Sequence, residues 1–349
     1  MTIPLITVLI TTHNYGQFIE QAIDSVLSQD FPLDQVEVLV VDDGSTDDTA
    51  KRVKKYGSGI RYISKPNGGQ ASALNFGITK AGGEIIALLD ADDFFLPGKL
   101  ARIVEAFQKD PALGMVYHRL REWHMRTDER RDWEFLPVSG DLHKEPNKFF
   151  LYAPQPTSCI SFRRSSLNRL LPIPESIRML ADCYLVALIP FVAPILAIPE
   201  FLAVYRIHGR NSYSTDERKV PVETSKNRLQ MWQIVIGAMR QWLAGNRYTR
   251  KQLPVRSLLD RWTILLEREE FAVTRPGRLH FFRHLLKSYR YQLPLMSWRL
   301  VLINYSNALG SLVVGYEKFH VLDESREHLT RWVRGQSRKT HGAPRLPEA

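Results

Sequence analysis

The chain has 349 residues, of which 44% are hydrophobic and 24% are charged, and this composition is typical of a folded protein with a sizeable core. Its formal net charge of +10 favours an anionic partner, but the sequence has no zinc-finger spacing or ribonucleoprotein motif, so nucleic acid is not expected. The two cysteines, Cys159 and Cys183, offer neither a disulfide framework nor a zinc site and favour a reducing, cytoplasmic location.

Strand and helix patterns alternate over the first part of the chain. Apolar runs predict strands at residues 6–10, 36–41, 60–63 and 85–89. Apolar residues at helical spacing predict helices at 18–27 and around 71–75. This alternation is typical of a doubly wound α/β sheet, in which ligands bind beyond the carboxyl ends of the strands.

Polar side chains follow three of the predicted strands, at residues 11–14, 42–43 and 90–93. Asp90 and Asp92 point from the same side of an extended segment, and with Asp93 they form a cluster of like charges. Mg²⁺ or Mn²⁺ would remove that repulsion by accepting one or two of the carboxylates. The alternative interpretation is a solvated acidic turn that caps the next helix.

Two common nucleotide sites are excluded by the residues after the first strand. The dinucleotide fingerprint is not formed, because the strand is followed by His-Asn-Tyr-Gly at 13–16, and the chain has no Walker A sequence. We therefore expect a nucleoside diphosphate that is held through its base, its ribose and a divalent cation.

Four motifs resemble those of one known family in their order and spacing. They are Thr-Thr-His-Asn-Tyr-Gly at 11–16, Val-Val-Asp-Asp-Gly-Ser-Thr-Asp-Asp-Thr at 40–49, Asn-Gly-Gly-Gln-Ala-Ser-Ala-Leu-Asn-Phe-Gly at 67–77 and Leu-Asp-Ala-Asp-Asp at 89–93. Together they are similar to the motifs of family 2 glycosyltransferases. The resemblance implies the GT-A fold, a Rossmann-like mixed sheet flanked by helices, followed here by a C-terminal helical extension.

The resemblance also implies the nucleotide contacts. Asp43 would accept the N–H edge of the base, Asp42 would support that turn, and Thr11 would contact the nucleotide. His13 or Tyr15 could stack on the base, and the sequence does not decide between the two rings. Further nucleotide contacts are implied for Asn14, Asn67, Gly68, Ala91 and Arg206.

The acidic cluster receives its roles from the same resemblance. Asp92 would ligate the metal that bridges the two phosphates, and Asp90 would hold the ribose or shape the loop. Asp93 could support the metal site or cap the next helix. Residues 205–212 resemble a family loop that carries Arg206 and His208 towards the diphosphate, with His208 as a further metal ligand or, alternatively, as a structural hydrogen-bonding residue.

The general base is expected later in the chain. Residues 181–185 match the family's acidic-pair position, where Glu-Asp is common, but this chain has Ala181 and Asp182 and so lacks one carboxylate. Asp182 would take a proton from the acceptor hydroxyl as it attacks the anomeric carbon and inverts it. A helix N-cap is the alternative role for Asp182. The arginine-rich stretch from 119 to 131 is expected to be an exposed insertion.

Three parts of the chain are expected to differ in organisation. A catalytic domain is predicted over 1–214, with a nucleotide half at 1–106 and an acceptor half at 107–214. Helices are predicted over 215–334 and a disordered tail over 335–349.

Three apolar segments in the second half of the chain bear on membrane contact. Three prolines within the apolar segment 185–204 argue against a membrane span there. Apolar stretches with basic residues at 281–286 and 296–303 could lie on an anionic membrane surface, so peripheral association at the inner face of the cell membrane is one expectation. Packing against the catalytic domain or a dimer contact is the alternative.

The sequence therefore predicts an inverting glycosyltransferase that uses Mn²⁺ or Mg²⁺ and a nucleotide sugar, most simply a UDP sugar. Its acceptor would be a saccharide or a lipid-linked sugar in cell-surface polysaccharide or glycolipid synthesis. A nucleotidyltransferase on a similar sheet would need a glycine-rich, basic loop after the first strand, which residues 11–16 lack. An inactive scaffold that binds sugar nucleotides is the other alternative, suggested by the missing carboxylate at Ala181.

Overall fold

The computed structural model describes residues 4–133, 137–145, 148–149, 152, 155–211, 222–274, 276–292, 308–309 and 311–312. Contacts divide the chain into two compact units, Met1–Leu266 and Glu267–Ala349. The predicted tail at 335–349 and the apolar stretch at 296–303 lie outside the described residues.

A mixed sheet forms the centre of the first unit. Its strands are β1 (Ile6–Thr12), β2 (Val36–Asp42), β3 (Arg61–Ser64), β4 (Ile85–Asp90), β5 (Phe94–Phe95), β6 (Met115–His124), β7 (Glu129–Asp132), β8 (Ile160–Arg163) and β9 (Ile195–Ile207). They lie in the order β3-β2-β1-β4-β8-β6-β9-β5, with β7 paired to β6. β1 is parallel to β2 and β4, and β2 is parallel to β3, whereas β8 is antiparallel to β4 and β6.

Helices cover the sheet and continue beyond it. They are α1 (Gly16–Leu27), α2 (Thr49–Val53), α3 (Gln70–Lys80), α4 (Lys99–Lys109), α5 (Arg164–Leu167), α6 (Ala181–Leu188), α7 (Val222–Gly245), α8 (Leu253–Thr274) and α9 (Arg278–Gln292). α1 shows why the first of them forms, because Ile19, Ile23 and Val26 recur at helical spacing and are fully buried. The predicted α/β sheet flanked by helices is confirmed.

The arginine-rich stretch from 119 to 131 forms parts of two sheet strands and the turn between them. The expected exposure is confirmed for residues 125–131, whereas residues 119–124 are partly or fully buried in β6. β6 runs through His124 and is paired with β9 along its length, and β7 adds a short hairpin strand. The strand alternates, with Leu120 buried while the guanidinium groups of Arg119 and Arg121 lie 4.0 and 4.7 Å from the Phe201 ring centroid. This packing lets arginine side chains remain on a strand face without being surrounded by water.

The predicted helices after residue 215 are present over 222–274 as α7 and α8. α7 packs against α6, and the rings of Trp232 and Trp262 lie 5.3 Å apart between α7 and α8. The boundary between the two units falls inside α8, so α7 belongs with the sheet. In the second unit, Phe271 and Phe281 form a small apolar cluster. Among the described residues, no helix combines the length and the apolar character that crossing a membrane requires.

Candidate functional site

The carboxyl ends of β1, β2 and β4 meet at one edge of the sheet. In the strand register, Thr12 is paired with Asp42 of β2, and Thr11 is paired with Asp90 of β4. Because the three strands are parallel neighbours, the polar residues that follow them surround one region. Two groups of carboxylates lie there, called here the β2 pair (Asp42 and Asp43) and the β4 cluster (Asp90, Asp92 and Asp93).

Asp42 is buried and holds the turn that follows β2. Its Oδ1 accepts a hydrogen bond from the backbone N–H of Ser45 at 2.7 Å, and its Oδ2 accepts one from the Tyr62 hydroxyl at 2.6 Å. Both carboxylate oxygens therefore have a protein donor. Hydrogen bonds of this kind compensate for the cost of removing a carboxylate from water.

Asp43 is also buried, and three donors converge on it. Lys65 Nζ and the backbone N–H of Gly68 donate to its Oδ1 at 2.7 and 3.0 Å, and the backbone N–H of Gly69 donates to its Oδ2 at 2.7 Å. Gly69 has φ +87°, a conformation that favours glycine, and a Cβ there would lie 2.8 Å from Arg178 Cα. The Asn-Gly-Gly motif thus closes a loop around Asp43.

His13 and Asn67 lie beside the main chain of Asp43. Each side chain donates to the Asp43 carbonyl oxygen at 3.0 Å, from Nδ1 of His13 and Nδ2 of Asn67. Arg178 Nη2 donates to Asn67 Oδ1 at 2.6 Å and fixes the amide orientation. His13 is exposed, so its ring forms an open wall next to Asp43. The sequence does not decide whether His13 or Tyr15 stacks on the base. In the structure, the His13 ring lies at the β2 pair.

The side chain of Asn14 connects two loops at this edge. Asn14 has φ +60°, and its Oδ1 accepts a hydrogen bond from the backbone N–H of Thr46 at 2.8 Å. Its own backbone N–H donates to Ser45 Oγ at 2.8 Å. These bonds join the β1–α1 loop to the β2–α2 loop, a positioning function that the motif alone did not reveal.

The β4 cluster is electrostatically different from the β2 pair. One carboxylate oxygen from each of its three residues lies within 4.8 Å of the others. Burial, followed by the charge of Asp92, raises the pKa values of both Asp90 and Asp93 well above the ordinary carboxyl range. Such a set of oxygens fits Mg²⁺ or Mn²⁺, because these ions accept carboxylates and neutralise the repulsion between them.

Asp92 faces His208 and Asn211 across the site. His208 Nε2 lies 3.0 Å from Asp92 Oδ2, and Asn211 Nδ2 donates to the same oxygen at 3.4 Å. The His208 ring packs 4.6 Å from the Phe18 ring and 5.6 Å from the Tyr15 ring, measured between centroids. Tyr15 therefore lies at the β4 cluster, and the imidazole is oriented towards the carboxylate that the sequence assigned to the metal.

Asp93 and Arg206 support the cluster from inside the protein. Asp93 is fully buried and accepts hydrogen bonds from the Arg206 backbone N–H at 2.9 Å and from Ser158 Oγ at 2.5 Å. α4 begins at Lys99, so Asp93 does not cap it. The guanidinium of Arg206 lies 4.7 Å from the Phe18 ring centroid, and its Nη2 donates to Gln21 at 2.7 Å. These contacts direct the side chain towards α1 and connect its main chain to the β4 cluster.

A buried lysine lies behind the same cluster. Lys99 Nζ donates to the Ser158 carbonyl oxygen at 2.8 Å and lies 3.4 Å from the Phe95 ring centroid. Burial lowers the pKa of this amine well below its usual value. Ser158 Oγ also accepts a hydrogen bond from the Asp90 backbone N–H at 3.1 Å. Lys99 thus anchors the segment that positions two residues of the β4 cluster.

Asp182 lies at the start of α6, where Thr157 contacts it. Thr157 Oγ1 donates to Asp182 Oδ2 at 3.1 Å, and burial raises the pKa of Asp182 above its ordinary value. Thr157 also holds the pKa of Asp90 lower than burial alone would give. At the neighbouring position, the Ala181 backbone N–H donates to Gln70 Oε1 at 2.9 Å. The helix start is therefore held without the second carboxylate that the family commonly has.

Several residues of the site were not identified from the sequence. Asn211 falls inside the loop at 205–212 that resembles the family, but its side chain carried no assigned role, and none was assigned to Thr157 or Ser158. Lys65 and Lys99 belong to no motif, and only the folded chain brings them to the carboxylates. Thr11 and Ala91 lie at the carboxyl ends of β1 and β4, as expected. The Ala91 backbone N–H donates to the Thr11 carbonyl oxygen at 3.3 Å.

Comparison with known proteins identifies the family. Residues 7–171 match the profile of Glycosyl transferase family 2. The chain is 34% identical over 217 residues to an uncharacterized glycosyltransferase from Nostoc sp., and the match covers 60% of this chain and 66% of that protein. The chain thus spans slightly less than two thirds of that relative's length.

Two solved structures share the fold. The mannosyltransferase PcManGT from Pyrobaculum calidifontis, in complex with GDP-Man and Mn²⁺, has a TM-score of 0.54 at 19% identity, covering 95% of this chain and 86% of that one. Residues 1–349 of Staphylococcus aureus TarS, in complex with UDP-GlcNAc, have a TM-score of 0.51 at 19% identity, covering 89% of this chain and 92% of that one. With the family profile and the mixed sheet, these findings show that residues 7–171 belong to glycosyl transferase family 2 and that the chain has the GT-A fold.

Proposed function

We propose that this protein transfers a sugar from a nucleoside diphosphate donor to an acceptor hydroxyl, with inversion at the anomeric carbon. The observation that carries the proposal is that three features lie together at one edge of the sheet. They are the β2 pair, the β4 cluster, whose oxygens suit a divalent cation, and Asp182. A single donor molecule with a base, a diphosphate and a sugar requires this combination of binding groups.

The base would bind at the β2 pair. Asp43 offers an acceptor for a ring N–H, and the exposed His13 ring offers a stacking surface. Asn67 and Gly68 belong to the loop that packs against Asp43, where the Asn67 amide donates to the Asp43 carbonyl oxygen and the Gly68 N–H donates to the carboxylate. Thr11, Asn14, Asp42 and Ala91 would contact or support the nucleotide from the ends of β1, β2 and β4.

The diphosphate would bind at the β4 cluster. Asp92 and His208 would hold Mn²⁺ or Mg²⁺, with Asp90 nearby to shape the loop or hold the ribose. The bound cation would offset the negative charge that accumulates on the departing nucleoside diphosphate. Arg206 would contribute through the backbone bond that fixes Asp93, and its guanidinium adds a buried positive charge close to the cluster.

Asp182 would act as the general base. The acceptor hydroxyl oxygen forms a bond to the anomeric carbon while the bond from that carbon to the diphosphate oxygen breaks. The hydroxyl proton moves to an Asp182 carboxylate oxygen, and the nucleoside diphosphate leaves. A raised pKa strengthens a carboxylate as a base, and Thr157 orients the group by its bond to Oδ2.

A product assay tests this function. Purified protein is incubated with Mn²⁺, a panel of UDP, dTDP and GDP sugars and saccharide acceptors, and the released nucleoside diphosphate is measured. We expect release that needs Mn²⁺ and falls by at least about 10³-fold in Asp92→Asn, since one well-placed charge contributes several kcal/mol to the barrier. The exposed Asp34→Asn variant is the matched control and should retain wild-type release.

The same assay distinguishes the alternatives. Pyrophosphate release from a nucleoside triphosphate and a sugar phosphate would identify a nucleotidyltransferase and contradict the proposal. Tight nucleotide binding without product from any donor and acceptor would favour an inactive scaffold. A saccharide acceptor is tested by this panel, whereas a lipid-linked acceptor at a cell surface and peripheral membrane contact stay predictions.

A further inference from the structure

We propose that Lys65 limits the donor base to uracil or thymine by occupying an acceptor position on Asp43. The inference rests on the proposed function, because it takes Asp43 as the residue that accepts a hydrogen bond from the base. It goes beyond that function by naming the base class and the residue that selects it.

The acceptor positions of Asp43 are nearly all occupied. A carboxylate has four lone-pair positions, two on each oxygen. Lys65 Nζ and the Gly68 N–H use both positions on Oδ1, at 2.7 and 3.0 Å, and the Gly69 N–H uses one on Oδ2 at 2.7 Å. One position therefore remains for a ligand. The Asp43 side chain is only 6% exposed, so water does not provide a substitute partner for a second ligand donor.

The lysine has one unused donor next to that position. An ammonium group carries three N–H donors. Lys65 Nζ uses one for Asp43 and a second for the Pro66 carbonyl oxygen at 2.7 Å. The Lys65 side chain is 14% exposed and ion-paired, which keeps the remaining N–H in a defined direction. The site thus offers a ligand one acceptor and, beside it, one charged donor.

Uracil and thymine match this pattern. Each has one ring N–H flanked by two carbonyl oxygens, so the N–H would donate to Asp43 Oδ2 and a carbonyl oxygen would accept from Lys65 Nζ. Guanine has two adjacent N–H groups on this edge and would leave one without an acceptor. Cytosine and adenine have an unprotonated ring nitrogen that would face the carboxylate. Both mismatches cost affinity, because buried polar groups would be left unpaired.

A binding panel tests the base preference. Calorimetry with Mn²⁺ measures the affinity of the full-length protein for UDP, dTDP, GDP, CDP and ADP. We expect UDP and dTDP to bind at least about tenfold more tightly than the other three, the effect of leaving one buried hydrogen-bonding group unpaired. Equal binding of GDP and UDP would overturn the inference and leave the proposed function intact. No binding of any of the five would contradict the proposed function itself.

The Lys65→Met variant tests the residue. Methionine keeps an unbranched stem and frees an acceptor on Asp43 Oδ1, so the ratio of GDP to UDP affinity should rise by about tenfold or more. Lys55→Met is the matched control, since Lys55 is an exposed lysine that pairs with Glu20 away from Asp43, and it should keep the wild-type ratio. An unchanged ratio in Lys65→Met would show that Lys65 does not select the base. If this variant fails to fold, the wild-type panel still decides the base preference.

Discussion

The β2 pair and the β4 cluster are built from the same residue type at the same sheet edge, yet they differ in how their charges are satisfied. Backbone N–H groups, a tyrosine hydroxyl and a lysine surround the β2 pair with donors. The β4 cluster brings carboxylates within 4.8 Å of one another, and the pKa values of Asp90 and Asp93 are raised by burial and mutual repulsion. The carboxylates of the first group are held by protein donors, whereas those of the second also repel one another and would be stabilised by a cation.

This difference indicates which part of the site depends on a cofactor. A satisfied carboxylate is a rigid element that can recognise the edge of a base. A cluster of like charges stores unfavourable free energy that a cation releases on binding. We therefore expect changes at the two groups to have opposite effects on the metal-free protein.

The largest expected effect is on turnover and concerns Asp182, the proposed general base. Asp182→Asn removes the proposed base and should lower kcat by about 10²- to 10⁴-fold, the range for a positioned general base. The donor KM should change little, because Asp182 would contact the acceptor and not the nucleotide. Steady-state kinetics with Asp34→Asn as control measures both constants. Full turnover in Asp182→Asn would contradict the assignment of the base.

The pH profile sharpens that assignment. Asp182 must be deprotonated to accept the proton, and burial raises its pKa. Turnover should therefore decline as the pH falls through a value above that of an ordinary carboxyl group, which is about 4. The measurement is kcat against pH in wild type, at donor and Mn²⁺ concentrations that saturate the enzyme.

A smaller effect concerns stability and tests the comparison directly. Asp42→Asn replaces an oxygen acceptor with a donor opposite the Ser45 N–H or the Tyr62 hydroxyl, and it should lower the free energy of unfolding by about 1–3 kcal/mol. Asp92→Asn removes the charge that helps to raise the pKa values of Asp90 and Asp93, and it should raise the free energy of unfolding of the metal-free protein.

Urea unfolding in the presence of EDTA measures both variants against wild type. Destabilisation by Asp92→Asn of the same size as by Asp42→Asn would show that the two groups are satisfied in the same way. Addition of Mn²⁺ should stabilise wild type and leave Asp92→Asn unchanged, because only wild type would bind the ion.

The sequence predicted the parts of the site that depend on local pattern. Strands such as 85–89 are apolar runs that end in charged residues, and parallel pairing forces those ends to one edge of the sheet. Asp43, Asp90, Asp92, Asp182 and His208 all belong to local motifs, and the fold brings them to this region.

The rest depends on contacts that local pattern does not encode. Lys65 reaches Asp43 from the loop that follows β3, and Lys99 reaches Ser158 from the start of α4, so both contacts arise only from tertiary structure. The guanidinium of Arg206 packs against Phe18, a residue far away in sequence. The arginine-rich β6 resembled an insertion because its charges conceal the alternation of a strand whose arginines are packed on Phe201.

Metal-linked nucleotide binding is the most direct test of the account. UDP is titrated calorimetrically into wild type and Asp92→Asn, each with Mn²⁺ and with EDTA. We predict binding to wild type that weakens at least about tenfold in EDTA, and binding to Asp92→Asn that does not respond to Mn²⁺. UDP binding of equal strength in all four titrations would contradict the claim that the β4 cluster holds a cation and that this cation binds the diphosphate.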